Sequence, residues 1–238
     1  MRTLVVLPTY NEILNIERML RALRSTVADC DVLVVDDGSP DGTADAAERV
    51  GAELGSINVL RRAGKGGLGS AYRAGFAWGL ERGYDALVEI DCDFSHDPAA
   101  LPEMLRLAEK SEVVIGSRYV PGGAIPSWST SRLLLSKGGN KYASMMLGLG
   151  VADSTAGYRV YRASGLAKID YQTVRADGYG FQIEMTYRAR RNGASIIETP
   201  ISFTDRTEGE SKMSRAIVSE ALWMVTVWGV KRLFGRGA

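Results

Sequence analysis

The sequence predicts an α/β fold in which helices cover both faces of a parallel sheet. Short runs rich in Val, Ile and Leu recur through the first half of the chain, and segments with helical spacing separate them. Near-continuous apolar strands that alternate with helices are typical of a parallel sheet buried on both faces. Polar residues follow four of these strands directly, which indicates a ligand site at the carboxyl ends of the strands.

The predicted elements alternate regularly in the first half of the chain and less regularly in the second. The first half contains strands over 3–8, 31–35, 57–60, 86–90 and 112–117, with helices over 13–23, 44–54, 70–82 and 99–110. The second half contains helices over 131–149, 181–191 and 213–234, with strands over 157–162 and 194–203. No linker or internal repeat interrupts the chain. We therefore expect one domain over 1–212, followed by a C-terminal amphipathic helix over 213–238.

The composition is that of an ordinary soluble protein, with 45% hydrophobic and 24% charged residues in a chain of 238. The net charge of +1 gives no overall attraction to nucleic acid, so no nucleic-acid partner is expected. Cys30 and Cys92 fit no metal-ligand spacing and are too few for a disulfide framework, which favours a reducing cytoplasmic location. The N-terminal apolar run is too short for a signal peptide and is predicted to form the first strand.

A pair of carboxylates, Asp91 and Asp93, follows the fourth predicted strand. If the chain stays extended there, the two side chains point to the same side and repel each other unless a cation lies between them. Carboxylate oxygens suit Mg²⁺ or Mn²⁺, which would bridge the protein to a diphosphate. The alternative is a solvated loop in which Ser95 or Asp97 caps the next helix, but that cap leaves the acidic pair unexplained.

The segment DDGSPDG follows the second predicted strand. Its glycines permit tight turns, and Asp41 or Thr43 can cap the next helix. Asp36 and Asp37 are then left to bind a base or a ribose. Residues 37–48 also fit the spacing of an EF-hand loop, but a strand precedes them where an EF-hand needs a helix.

The segment GKGGLG, residues 64–69, matches the G-x-G-x-x-G pattern between a strand and a helix. A dinucleotide site would also need an acid about 20 residues on, at the end of the next strand. Asp85 begins that strand and Asp91 lies too far along the chain. The pattern therefore favours a loop with tight packing between the helix and the strand. If the metal and diphosphate site at the acidic pair exists, this loop is expected near the diphosphate.

Basic residues lie in several predicted loops, where exposed cations are more often solvated than functional. Arg118 has the stronger case because it directly follows a strand at the polar end. The lone histidine, His96, is expected to make local hydrogen bonds rather than to act as a catalyst. The other basic loop residues are Arg132, Arg206 and Lys212.

The C-terminal segment carries Trp223 and Trp228, an apolar centre and basic residues at its end. It is too short to span a membrane. Aromatic residues with a basic flank are typical of a helix that lies in a membrane interface or on a membrane partner. The alternative is a helix packed on the core of the domain.

Six motifs taken together resemble the family 2 glycosyltransferases, and more closely the dolichyl-phosphate (polyprenyl-phosphate) mannose synthases. The resemblance covers almost the whole chain in order, and the first two motifs alone would mark only the broad family. The motifs are PTYNE (8–12), VDDGSPDGT (35–43), GLGSAY (67–72), DCDFSH (91–96), GSRYVPGG (116–123) and DRTEGESK (205–212).

The resemblance implies a GT-A-like (Rossmann-like) fold with a mixed, mostly parallel sheet, and it implies roles for named positions. Asp93, Arg118 and Arg132 are expected to be central to catalysis, and Arg132 to lie near an acceptor phosphate. Ser95 stands where relatives often have Gln, so the third metal ligand is left open between Ser95, a water or neither. The positions expected to bind the nucleotide sugar are Pro8, Tyr10, Glu12, Val35, Asp37, Asp91, Cys92, Asp93, Arg118, Arg206 and Lys212, with the metal on Asp91 and Asp93.

The reaction implied by the resemblance moves mannose from GDP-mannose to a polyprenyl monophosphate, with inversion and with Mg²⁺ or Mn²⁺. The acceptor phosphate is already an anion because the second pKa of a phosphate monoester is near 6, so no general base is needed. We expect peripheral attachment to the cytoplasmic face of a membrane, with or without an integral membrane partner. The alternatives are a transferase that uses UDP-glucose or another UDP-sugar, a nucleotidyltransferase that releases pyrophosphate, and a non-catalytic membrane scaffold.

Overall fold

A computed structural model describes residues 1–206 and 215–234. Within these residues, seven strands form one sheet in the order β3-β2-β1-β4-β6-β5-β7. The mixed, mostly parallel sheet is confirmed, because only β6 among these seven strands runs antiparallel to its neighbours. The strands are β1 (Thr3–Thr9), β2 (Asp31–Asp36), β3 (Ile57–Arg61), β4 (Ala86–Glu89), β5 (Val113–Ser117), β6 (Arg159–Arg162) and β7 (Ile196–Pro200).

Helices connect these strands, close to the bounds expected from the sequence. One of them, α6, was not predicted, because seven residues are too few to show a helical period. The helices are α1 (Ile16–Thr26), α2 (Thr43–Leu54), α3 (Leu68–Glu81), α4 (Leu101–Ala108), α5 (Thr130–Leu147), α6 (Ala163–Ile169), α7 (Gly178–Arg191) and α8 (Arg215–Leu233).

The strand order reverses at β1, and this reversal positions the candidate site. The chain moves outward from β1 through β2 to β3, then returns to place β4 on the other side of β1. In open α/β sheets, ligands bind beyond the carboxyl ends of the strands at such a switch point. Neighbouring strands lie about 5 Å apart, so the segments that follow β1, β2 and β4 share one short edge.

The core has two layers, one on each face of the sheet. Leu4 and Val6 of β1 face the layer that contains α3, whereas Val5 and Leu7 face the layer that contains α1. Helix α3 lies very close to the sheet, since a Cβ added at Gly75 would collide with Val6 Cγ1. The helix begins at Leu68, near the carboxyl ends of the strands.

Helix α8 packs on α5 and α7. The rings of Trp228 and Tyr187 stack with their centroids 6.4 Å apart, and Thr226 and Tyr142 share a hydrogen bond of 2.7 Å between their hydroxyls. Trp223, in contrast, is 68% exposed. One side of α8 thus belongs to the domain, while the other presents apolar groups outward. Among the described helices, none combines the length and apolar character that crossing a bilayer requires.

Candidate active site

The acidic pair lies in a turn beyond β4 rather than in an extended segment. The strand ends at Glu89, and Phe94 adopts a left-handed conformation with φ of 58°. This turn directs the Asp93 carboxylate back onto the chain, where Oδ1 accepts a 3.0 Å hydrogen bond from the backbone N–H of Ser95. The condition of an extended chain is therefore not met here, although the charge of Asp93 still raises the pKa of Asp91.

The Asp91 carboxyl is held in surroundings that disfavour its charge. Desolvation, together with repulsion from Asp93 and Glu12, raises its pKa to about 7. The Tyr72 hydroxyl opposes this by donating to Asp91 Oδ1 across 3.3 Å, and Arg206 opposes it by its charge. Because negative charge is in excess here, the site favours an added cation.

These carboxylates fit a divalent cation that is shared with a substrate. Asp91 and Asp93 offer hard oxygen ligands of the kind that Mg²⁺ and Mn²⁺ prefer. Within residues 1–206 and 215–234, no group of three or more His, Cys, Asp or Glu side chains could enclose a metal. Magnesium in such sites keeps several waters and takes phosphate oxygens as further ligands, so two carboxylates suffice. The role of Ser95 as a third ligand stays open.

Asp36 and Asp37, at the end of β2, have different surroundings. Asp36 accepts hydrogen bonds from the Thr9 hydroxyl at 2.9 Å and from the Ser39 hydroxyl at 2.6 Å, so its carboxylate stabilises the turn. Asp37 accepts from Arg62 at 2.6 Å and from the backbone N–H of Gly66 at 2.9 Å. Asp36 thus serves the turn, whereas Asp37 joins the end of β2 to the loop after β3, and the expected contact of Asp37 with a nucleotide stays a prediction.

The other predicted nucleotide-binding residues come from the ends of β1, β2 and β4. Pro8 pairs with Val35 in the sheet register, and Val35 is fully buried. Tyr10 has the Lys65 ammonium 4.8 Å from its ring centroid. Glu12 accepts a 2.9 Å hydrogen bond from the Asn15 side chain, and its negative charge helps to raise the pKa of Asp91. Cys92, which lies between the two aspartates in the sequence, is buried.

The start of α3 is occupied by a carboxylate of the chain itself. Asp177 Oδ1 accepts from the backbone N–H of Gly69 at 2.7 Å, in the segment GKGGLG. A Cβ at Gly67 would collide with the same carboxylate. The protein's own anion therefore fills the helix N-terminus, and the loop instead contacts the end of β2 through Asp37 and Gly66.

Arg118 is buried in a pair with Asp153. Its Nε and Nη2 atoms donate to the two oxygens of Asp153, each at 2.7 Å, and Nη2 also reaches the Thr155 hydroxyl at 2.7 Å. The ring centroids of Tyr119 and Phe203 lie 5.3 Å and 5.5 Å from its guanidinium carbon. Asp153 thus neutralises the charge of Arg118. The expected role of Arg118 in substrate binding stays a prediction.

Arg132 is exposed and lies against an aromatic ring. Its guanidinium carbon is 3.9 Å from the ring centroid of Trp128, and its Nη1 is 3.1 Å from Asp205 Oδ2. The same Asp205 carboxylate accepts from the Trp128 indole N–H at 2.9 Å. The next residue, Arg206, pairs with Asp93 at 2.8 Å. Lys212, the remaining basic position expected at the donor site, lies outside the described residues.

His96 is buried among aromatic rings rather than exposed to a substrate. Burial and, to a smaller extent, the nearby Arg118 charge lower its pKa to about 4, against the opposite effects of Asp93 and Asp153. Its ring centroid lies 5.3 Å from that of Tyr158 and 5.4 Å from that of Phe203. A neutral, packed imidazole fits a structural role, although its Nδ1 finds no partner among the described groups.

Sequence reasoning missed four residues of this site: Arg62, Tyr72, Asp153 and Asp205. Each acts through a partner far away in the chain, and no local spacing reveals such a pair. Tyr72 was visible only as the last letter of GLGSAY, without an indication that its hydroxyl meets Asp91.

The mostly parallel sheet, with acidic groups at its switch point, defines a GT-A-like α/β enzyme fold. The chain matches the family described as Glycosyl transferase family 2 over residues 4–170. The chain therefore belongs to glycosyltransferase family 2, and it is a glycosyltransferase.

Two relatives match nearly the whole chain. The undecaprenyl-phosphate mannosyltransferase of Micrococcus luteus is 54% identical over 230 residues, which are 97% of this chain and 95% of the relative. The polyprenol monophosphomannose synthase of Mycolicibacterium smegmatis is 47% identical over 232 residues, which are 97% of this chain and 88% of the relative. The resemblance noted from the motifs is thereby confirmed.

Solved structures share the fold at low sequence identity. Glucosyl-3-phosphoglycerate synthase from Mycobacterium tuberculosis, in complex with Mn²⁺ and UDP-glucose, matches with a TM-score of 0.67 and 19% identity, covering 100% of this chain and 80% of that one. A mannosyltransferase from Pyrobaculum calidifontis, in complex with GDP-Man and Mn²⁺, matches with a TM-score of 0.64 and 17% identity, covering 100% of this chain and 65% of that one.

Proposed function

We propose that the protein transfers mannose from GDP-mannose to a polyprenyl monophosphate, with inversion, to give polyprenyl-phosphate mannose and GDP. The observation that carries this proposal is the acidic pair at the sheet edge, with two arginines arranged beside it. The names of the two near-full-length relatives support the acceptor and the sugar. The Mn²⁺ and GDP-Man bound to a neighbour of the same fold support the donor and the metal.

On the donor side, Asp91 and Asp93 would hold Mg²⁺ or Mn²⁺. When bound, this cation neutralises the charge that develops on the departing diphosphate. Tyr72 fixes the orientation of the Asp91 carboxylate through its hydrogen bond. Arg206, which pairs with Asp93, would contribute positive charge to the same diphosphate. The same role is proposed for Lys212 from the motif alone.

On the acceptor side, Arg132 is the better-placed cation. Asp153 neutralises the buried Arg118, whereas Arg132 is exposed and its pair with Asp205 is open to water. Exposed ion pairs are worth about 1 kcal/mol or less, so an incoming phosphate can replace Asp205 at little cost. Because the acceptor phosphate is already anionic, the site needs a cation and no general base.

Peripheral binding to the cytoplasmic face of a membrane completes the proposal. Leu134, Leu135 and Met145 on α5 are each at least 65% exposed, and α8, which packs on α5, exposes Trp223. The sequence of α5 contains basic residues but no Asp or Glu. Exposed apolar groups beside basic ones suit the surface of an anionic bilayer, or an integral membrane partner.

Mass spectrometry of the lipid product tests this function. Protein incubated with GDP-mannose, a polyprenyl phosphate and Mg²⁺ should form the mannolipid and release GDP. A parallel reaction with UDP-glucose separates the nearest alternative, and release of pyrophosphate from GTP would indicate a nucleotidyltransferase. Absence of any glycolipid from either donor would reject the proposed function.

A further inference from the structure

Arg62 joins three parts of the chain at the nucleotide end of the site. Its Nη1 donates to Asp37 Oδ1 at 2.6 Å, and its Nη2 donates to the Ser70 hydroxyl, in the first turn of α3, at 2.6 Å. Its backbone N–H donates to the carbonyl of Asp36 at 2.8 Å, which continues the pairing of β2 with β3. One side chain therefore ties the end of β2 to the start of α3.

The loop 62–67 has little freedom to move away from Asp37. The backbone N–H of Gly66 donates to Asp37 Oδ2 at 2.9 Å, so each oxygen of this buried carboxylate carries a donor. A Cβ at Gly66 would lie 2.5 Å from Arg62 Nη2, and a Cβ at Gly38 would lie 3.2 Å from the Cα of Gly64. A side chain at Gly66 would force the Arg62 guanidinium to shift, and a side chain at Gly38 would press against the backbone of the loop.

The Asp37 carboxylate keeps hydrogen-bonding capacity for a ligand. A carboxylate offers about four acceptor positions, so two remain after Arg62 and Gly66 have bound. Guanine presents two adjacent N–H groups on its Watson–Crick edge, and one carboxylate can accept both. Such recognition needs the carboxylate to be held in one orientation before the base arrives, because ordering it on binding would reduce affinity.

We propose that Arg62 is a positioning residue for the nucleotide: it holds Asp37 and the loop 62–67 in the orientation that accepts the base of the donor. The inference rests on the proposed function, since it takes Asp37 as the residue that contacts the base. Arg62 acts through Asp37 and does not touch the diphosphate or the acceptor. Its removal should therefore weaken nucleotide binding and leave the chemical step intact.

Arg62→Gln tests this proposal, with Arg61→Gln as the matched control. Arg61 is the adjacent residue and also pairs with carboxylates, Asp45 and Glu48, but on the exposed surface of α2. Loss of a charge-assisted hydrogen bond predicts that Arg62→Gln raises the Kd of GDP and the KM of the donor about tenfold. The kcat at saturating donor and the KM of the acceptor should stay within about twofold, and Arg61→Gln should match the unaltered protein throughout.

A second pair of variants leaves both charges in place. Gly66→Ala puts a methyl group 2.5 Å from Arg62 Nη2, so the guanidinium must shift, whereas Gly64→Ala meets nothing within 4 Å among the described residues. Gly66→Ala should weaken GDP binding in the same direction as Arg62→Gln, and Gly64→Ala should not. In an Asp37→Asn background, Arg62→Gln should add less than about twofold, because the two residues act as one unit.

The outcomes separate this inference from the function on which it rests. If the unaltered protein binds neither GDP nor UDP in calorimetry, the proposed function fails. If it binds GDP but Arg62→Gln and Gly66→Ala bind as tightly as their controls, Arg62 is not a positioning residue. Independent effects of Arg62→Gln and Asp37→Asn would also overturn the proposal. If Arg62→Gln does not fold, the comparison of the two glycine variants decides.

Discussion

Arg206 donates to Asp93 across 2.8 Å, and the residue before it, Asp205, pairs with Arg132 at 3.1 Å. Two consecutive residues thus neutralise one charged group on the proposed metal side of the site and one on the proposed acceptor side. Both charged groups are expected to meet substrates. Their present partners mark where ligands of the same charge would bind: a cation at Asp93 and an anion at Arg132.

The Asp205 pair leads to the first prediction. Asp205→Asn keeps an acceptor for the indole N–H of Trp128 but removes the charge that competes for Arg132. Because exposed ion pairs contribute at most about 1 kcal/mol, the KM of the polyprenyl phosphate should fall roughly two- to fivefold. Steady-state kinetics at saturating GDP-mannose measure this effect. A higher acceptor KM would show instead that Asp205 orients Arg132.

Membrane attachment gives the second prediction. Trp223 is 68% exposed on α8. Transfer of such a side chain from water into a bilayer interface is favourable enough to raise the membrane partition coefficient about tenfold. Trp223→Ser should reduce sedimentation with anionic liposomes by that factor. Leu14→Ser is a suitable control, since Leu14 is 64% exposed near the start of α1. Equal partitioning of both variants would contradict the assignment of α8 to the membrane surface.

The buried imidazole of His96 gives a prediction about pH. Its pKa is about 4 in the folded state and near 6.5 when exposed, so the unfolded chain binds the proton more readily. Stability is then retained above pH 6.5 and lost as the pH falls towards 4, by about 2 kcal/mol at pH 5. Urea unfolding of the unaltered protein and of His96→Asn at pH 7.5 and pH 5 isolates this contribution, because the raised pKa values of Glu89 and Asp91 act in the opposite direction in both proteins. Between pH 7.5 and pH 5 the unaltered protein should lose about 2 kcal/mol of stability relative to His96→Asn, and equal changes in the two proteins would place the titrating group elsewhere.

The packing of α3 on the sheet gives a prediction about stability. Gly75→Ala would place a Cβ 2.3 Å from Val6 Cγ1, so we expect a loss of about 1–3 kcal/mol in the free energy of unfolding. Gly138→Ala, in α5, meets nothing within 4 Å and should stabilise the helix by up to about 1 kcal/mol. Denaturant unfolding distinguishes the two. Equal effects would show that α3 can move away from the sheet without cost.

Much of the fold could be predicted because its signals are local. Apolar runs and helical spacing are properties of neighbouring residues, so the first five strands and the helices between them lie near their expected positions. The antiparallel direction of β6 could not be predicted, since it depends on pairing with β4 and β5 far along the chain. The seven residues of α6 are too few for a periodic pattern.

The site was predictable in its acidic residues but not in their partners. Asp91 and Asp93 are recognisable because they follow a buried strand together. The partner of Arg118 is Asp153, 35 residues away, and the carboxylate at the start of α3 is Asp177, 108 residues from Gly69. These contacts exist only in the folded chain, and they decide that Arg118 is buried and that the GKGGLG loop lies against Asp37.

The metal at the acidic pair is the central claim, and anomalous scattering tests it most directly. A crystal grown with GDP and Mn²⁺ should show one strong anomalous peak between the carboxylates of Asp91 and Asp93 and the diphosphate. Asp93→Asn should abolish that peak and lower mannolipid synthesis by about a hundredfold or more, as should EDTA in the unaltered protein. An ion and diphosphate bound away from this pair, or full activity in EDTA, would contradict the account.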